Sequence, residues 1–137
     1  MPHDPELVAE TKAWCAKASE DLGAAAYLLN AEPPFLSDIV FHAQQAVEKL
    51  FKGFLAWHSM PFRKTHSLEE IGEQCVQLDP TLDPVVDKAV PLTKYVWKFR
   101  YPGDPEKPTR QEVEVALATA REVYEAILAR LPEEVRP

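Results

Sequence analysis

An all-α, up-down four-helix bundle with one short extra helix is the fold this chain predicts, and three observations predict it. There are only four Gly in 137 residues and no strand-like alternation. Apolar residues recur at helical spacing in five stretches. Proline-rich joints separate those stretches and are mostly short, which favours antiparallel neighbours. The length suits one domain, residues 1–137, with enough chain to bury a real hydrophobic core.

The first helix opens on Asp4 as N-cap with Pro5 at the first helical position. Leu7, Thr11, Trp14, Ala18, Leu22, Ala25 and Leu29 form its stripe, and Glu32-Pro33-Pro34 ends it. The second runs from about Ser37 to His58, with Met60-Pro61 closing it. A third starts at Ser67, where Ser67 and Glu70 read as a capping box, and fades near Leu78. The fourth follows Asp83-Pro84, an N-cap and first-position pair, and carries Val86, Val90, Thr93 and Trp97 on one face. Pro91 falls inside it and predicts a kink or break. The last begins at Thr109, boxed by Glu112, with Val113, Leu117, Ala120, Tyr124, Ile127 and Leu131 as its stripe. YPGDPEKP, residues 101–108, is the most loop-like stretch.

No apolar run approaches the roughly 18 residues of a membrane span. The N-terminus has no basic or apolar leader segment, so a cytoplasmic location and no membrane partner are expected. Cys15 and Cys75 are isolated within helical patterns and read as small buried hydrophobes. His3, His42, His58 and His66 are spaced too irregularly for a familiar metal site, so no metal or cofactor is expected. The net charge of −7 argues against indiscriminate nucleic-acid binding, and DNA is not an expected partner. Charge is uneven, however: Lys88 to Arg110 holds six basic residues and two acidic ones. That middle segment suits a phosphate-bearing ligand or simply a solvated face.

The stretch HAQQAVEKLFKGFL, His42 to Leu55, is where polar residues sit on an otherwise apolar helix. On a wheel of 100° per residue, Val40, Ala43, Ala46, Val47, Leu50, Phe51, Phe54 and Trp57 form one apolar arc wider than about 120°. His42, Gln45, Lys49 and Lys52 form a narrow stripe opposite it, while Gln44 and Glu48 make a seam at its edge. The stripe reads either as a solvent face or as a face for ligand or subunit contact, and the Gln44–Glu48 seam either as satisfying backbone or a partner helix or as part of such a contact face. Phe41 and Leu55 border these seams, and apolar surface left exposed there favours a homodimer or higher homo-oligomer.

Two further clusters carry cations. Arg63, Lys64, Thr65, His66 and Ser67 precede the third helix, where free amides make an anion site plausible beside the ordinary reading as a cap. Lys94, Lys98, Arg100 and Tyr101 end the fourth helix, where cations also suit the helix dipole.

FHAQQAVEKLFKGFL, then KTHSLEEI, then KYVWKFRYPG leading into a final amphipathic helix, together resemble the HEPN domain family in order and spacing. The resemblance spans roughly Phe41 to Leu131. It implies an up-down four-helix bundle, often homodimeric, and similarity to the C-terminal domain of kanamycin nucleotidyltransferase, from which nucleotide binding is proposed. Stand-alone prokaryotic members are commonly paired with a minimal nucleotidyltransferase in toxin–antitoxin modules. Carried onto this chain, the pattern touches Gln45, Glu48, Lys49, Lys52, Lys64, His66, Arg100 and Tyr101. Lys49, Lys52, Lys64, His66, Lys98, Arg100 and Tyr101 are the candidate ligand residues; Phe41, His42, Gln44, Gln45 and Glu48 are the candidate interface or polar seam.

Many HEPN proteins are metal-independent ribonucleases with an Arg and a His four to six residues apart near the start of the last helix. This chain departs from that pattern, because His66 is its last histidine and neither Arg100 nor Arg110 has one downstream. No catalytic residue is therefore expected. Were RNA cleaved, His66 and Arg100 brought together by the fold would carry it. Three functions follow: a nucleotide- or partner-binding module, a ribonuclease, or a purely structural oligomer.

Overall fold

Asp4 accepts a hydrogen bond from the Glu6 amide (2.9 Å), and Pro5 takes the first helical position of α1 (Pro5–Leu29). The chain turns through 30–35 and returns along α1 as α2 (Leu36–Trp57). Ser67 starts α3 (Leu68–Leu78), its hydroxyl accepting from the Glu70 amide at 3.2 Å. α4 (Asp83–Ala89) passes directly into a 3₁₀ stretch, Val90–Val96. Thr109 caps α5 (Arg110–Leu128), accepting from the Glu112 amide at 3.0 Å. The computed structural model describes residues 2–104 and 106–137; of the loop 101–108, Pro105 lies outside the described residues.

Both capping boxes are half-built. The hydroxyl half forms at Ser67 and Thr109, but neither glutamate returns to the cap amide. Glu70 instead takes the guanidinium of Arg63, and Glu112 accepts from the Tyr95 hydroxyl at 3.1 Å. Each carboxylate joins a loop or helix to its neighbour rather than closing its own terminus.

The fourth stave departs most from expectation. Asp83 is the first residue of α4 and does not cap it; Asp79, upstream, caps the short 3₁₀ turn Pro80–Leu82 through the Thr81 amide at 3.0 Å. Pro91 removes an amide that the α-helical ladder needs, and from Val90 the chain tightens to three residues per turn. The buried positions accordingly run Val86, Ala89, Leu92 and Tyr95, each three apart. Trp97, expected on the inner face, is turned outward and is 57% exposed.

α2 is the hub, packing on α1, α3, α5 and the 3₁₀ stretch. Leu50, Phe51, Phe54 and Leu55 are fully or almost fully buried on it, each contributing roughly 1.5–3 kcal/mol relative to exposure. Leu55 is therefore core and leaves no exposed apolar border. Cys15 and Cys75 are buried free thiols, as the sequence suggests; burial pushes them up to about 11 and about 12, which suppresses the reactive thiolate. At the C-terminal end Leu131 and Val135 are buried, and the Glu133–Val135 turn closes against α1. Among the described residues, no helix is long and apolar enough to cross a membrane.

Two glycines mark close approaches. A Cβ at Gly72 would stand 2.7 Å from Val86 Cγ1, and one at Gly53 would stand 2.9 Å from Trp14 Cβ. Gly23 has nothing within 4 Å. Gly72→Ala is expected to destabilise by about 1–3 kcal/mol in urea denaturation despite its better helix propensity. Gly23→Ala is expected to stabilise by about 0.5–1 kcal/mol. Effects of the same sign at both positions would contradict the packing.

Candidate functional site

Three polar residues of α2 do not face solvent. Gln44 is fully buried, Glu48 is 5% exposed and Lys52 is 8% exposed. The Glu48 carboxylate is saturated by donors: Gln44 Nε2 (3.1 Å) and His66 Nδ1 (2.8 Å) reach Oε1, and Lys52 Nζ (2.9 Å) reaches Oε2. A carboxylate accepts only, so His66 carries its proton on Nδ1. Gln45 Nε2 donates to Gln44 Oε1 (2.7 Å) and extends the chain of bonds outward. Burial pushes the Glu48 carboxyl up, but the bonds from His66, Lys52 and Gln44 and the charge of Lys52 outweigh it and hold the group below its ordinary range.

A second carboxylate does the same work on the other side of α2. Asp21 of α1, 8% exposed, accepts from His42 Nδ1 (2.8 Å) and Lys49 Nζ (2.5 Å). The stripe, read as a face for solvent, ligand or subunit, is thus partly covered by α1 at His42 and Lys49. Asp21 went unnoticed in the sequence, yet it lies three residues after Ala18 and four before Ala25, on the buried period of α1. An acid at a core position was the available signal.

The turn before α3 is not the open anion site its cations suggest. Thr65 Oγ1 takes the Ser67 amide (3.0 Å), Thr93 Oγ1 takes the Leu68 amide (3.1 Å) and Ser67 Oγ takes the Glu70 amide. Protein oxygens therefore occupy the amides of Ser67, Leu68 and Glu70, three of the donors an anion would need. Arg63 is spent on Glu70. Lys64 is exposed, and the His66 side chain is 63% exposed with its Nε2 unpartnered among the described residues.

The Thr93–Leu68 bond sets this turn beside the 3₁₀ stretch. Beyond it, Phe99 adopts φ 69°, an uncommon left-handed conformation for an aromatic residue, and stacks on Tyr95 with ring centroids 6.2 Å apart. Arg100 lies over the Phe41 ring, 3.6 Å from its centroid, so Phe41 is half-buried beneath a cation rather than open for an interface. Lys98 sits over Phe99, and Tyr101 is 64% exposed. His66 and Arg100 are anchored on Glu48 and Phe41, seven residues and about 10 Å of helix rise apart. The fold brings them to the same side of α2 without joining them. Among the described residues, no three His, Cys, Asp or Glu side chains group as metal ligands.

An apolar central helix edged with Gln44, Glu48 and Lys52, a short capped helix beginning at Leu68 and a final amphipathic helix now stand in one bundle. The HEPN domain family model matches residues 11–131. The chain belongs to the HEPN domain family. Among curated proteins and among solved structures there is no match. In this HEPN bundle, Lys52 is a buried and Lys49 a half-buried ion-pair residue, while Lys64, His66, Lys98, Arg100 and Tyr101 remain presented at the surface.

Glu48→Gln removes a buried charge from three donors and leaves Lys52 uncompensated, so a loss of about 3 kcal/mol is expected at neutral pH. The folded carboxyl titrates below its unfolded value near ~4.3, so this contribution is complete above about pH 5 and drains as pH falls through the folded pKa. Denaturant melts of the two proteins should therefore converge on acidification below about pH 5. A gap that stays constant or widens there would mean Glu48 is not held as an anion.

Proposed function

We propose that this HEPN protein is a non-catalytic cytoplasmic module that binds a nucleotide or a separate minimal nucleotidyltransferase, the two proteins forming a toxin–antitoxin-type pair. One observation carries the reading. Lys64, Lys98 and Arg100 have no carboxylate partner among the described residues, although the chain carries net charge −7 and Lys49, Lys52 and Arg63 are all paired. Cations left unpaired on an acidic protein are suited to phosphate oxygens. Tyr101 beside Arg100 adds an exposed ring on which a base stacks. The buried Glu48 network supports the same face from beneath by fixing His66.

Isothermal titration with ATP and GTP tests the nucleotide, and co-expression with a minimal nucleotidyltransferase tests the partner. Binding of at least one is expected. Lys98→Ala with Arg100→Ala should weaken it by tenfold or more, since each charge-assisted bond contributes roughly 1.5–3 kcal/mol. No heat with either nucleotide together with no stable hetero-complex contradicts the proposal.

A second reading, metal-independent RNA cleavage, is favoured by the Glu48–His66 pair. A carboxylate that fixes Nδ1–H leaves Nε2 as an acceptor, the state a general base requires. In this reading cleavage runs across a dimer interface, with Arg100 as the cation on the phosphate. Incubation of RNA with pure protein in EDTA decides it: cleavage abolished by His66→Ala supports the enzyme. Absence of cleavage, or cleavage unchanged in a His66→Ala, Arg100→Ala double variant, rejects it.

A further inference from the structure

Between the 3₁₀ stretch and the first half of α5 runs a groove of about 410 Å³ that shares no residue with the cluster of Lys64, His66, Lys98, Arg100 and Tyr101. That volume lies at the small end of the roughly 300–1,000 Å³ common for small-molecule sites. Pro91 and Leu92 line it from the 3₁₀ stretch, Val115 and Ala116 from α5. Val115 is 58% exposed, an aliphatic side chain left without cover.

Three polar groups on this apolar ground keep bonding capacity that the fold does not use. Lys94 is half-buried and has no carboxylate partner among the described residues; its Nζ lies over the Tyr95 ring, 5.3 Å from the centroid. Tyr95 in turn donates to Glu112 Oε2 (3.1 Å), which leaves Glu112 Oε1 without a donor among the described residues. Burial and the Glu112 carboxylate push the Tyr95 hydroxyl up to about 12, so it stays a donor to Glu112. Thr119 lines the groove, is 8% exposed and makes no hydrogen bond among the described residues. The one sealed, unpartnered side-chain oxygen among them is Thr11 Oγ1, so the Thr119 hydroxyl keeps an opening. Lys88, the other cation of the groove, is taken by Glu122 at 3.1 Å.

We propose that this groove binds a small zwitterion, an α-amino acid with an apolar side chain. Lys94 takes the carboxylate, Glu112 Oε1 takes the ammonium, and the apolar lining takes the side chain. Charge complementarity selects this class. Lys94 and Glu112 do not pair directly, and a ligand carrying one charge of each sign satisfies both. A plain amine or a plain acid would answer one and leave the other half-buried charge uncovered. A nucleoside triphosphate would bring several negative charges beside Glu112 and Glu122 for one free cation. The site is independent of the nucleotide and nucleotidyltransferase reading.

Isothermal titration of the full chain with L-phenylalanine, L-leucine, phenethylamine and 3-phenylpropanoate tests it. Phenethylamine keeps the ammonium of phenylalanine alone, and 3-phenylpropanoate keeps the carboxylate alone. At least one amino acid is expected to bind with a dissociation constant of about 1 mM or tighter, and phenylalanine at least about tenfold more tightly than either analogue. Lys94→Met should reduce the preference over phenethylamine to about twofold or less, and Glu112→Gln should do the same for the preference over 3-phenylpropanoate. The glutamine keeps an acceptor for Tyr95, and matched circular-dichroism melts confirm that both variants fold. A wild type that binds neither amino acid, an analogue that binds as tightly as phenylalanine, or a preference unchanged in its variant overturns the proposal.

Discussion

The bundle depends on one buried anion. Glu48 sits on the helix that packs on α1, α3, α5 and the 3₁₀ stretch, almost without solvent, and holds a ring of donors from α2 and from the turn before α3. An unpaired carboxylate there would be strongly disfavoured, so Gln44, Lys52 and His66 must all be in place when α2 is buried. The constraint is positional as well as energetic. His66 reaches Glu48 only if the chain after α2 folds back along it, and that return path sets where α3 begins. Asp21 imposes the matching constraint from α1 by taking both His42 and Lys49. Two carboxylates, each bridging one His and one Lys, fix the rotation of α2 within an otherwise apolar and slippery contact.

The same economy governs the helix ends. Glu70 and Glu112 stand where a capping box would use them, and each is spent on a tertiary contact, to Arg63 and to Tyr95. The cap amides then turn elsewhere; Thr65 serves Ser67 and Thr93 serves Leu68. The result is a turn knitted to the 3₁₀ stretch with little amide capacity left for a ligand. Functional reach at this end therefore belongs to side chains that project from the knit, namely Lys64, His66, Lys98, Arg100 and Tyr101.

The fold class, the five helical stretches and most of their starts were legible in the sequence because caps, prolines and apolar periodicity are local signals. Pro91 announced a break but not its form: nothing local distinguishes a kink from a change to three residues per turn, and so Trp97 was placed on the wrong face. The α2 wheel separated its polar residues from its apolar arc but left open what covers them. A wheel knows only its own helix, and the partial cover of His42 and Lys49 depends on an acid 21 to 28 residues earlier. The Glu48–His66 bond spans 18 residues and was equally out of local reach, although both residues stood among those singled out by the HEPN resemblance.

The most direct test of Glu48 as the anchor of the bundle is a double-mutant cycle on urea stability at pH 7 with Glu48→Gln, Lys52→Met and the combination. A buried, hydrogen-bonded pair predicts a coupling of about 1.5–3 kcal/mol, the double variant being far less destabilised than the sum of the singles. Coupling below about 0.5 kcal/mol would mean that the two side chains act independently, as solvated residues do, and would contradict the buried network on which the structure rests.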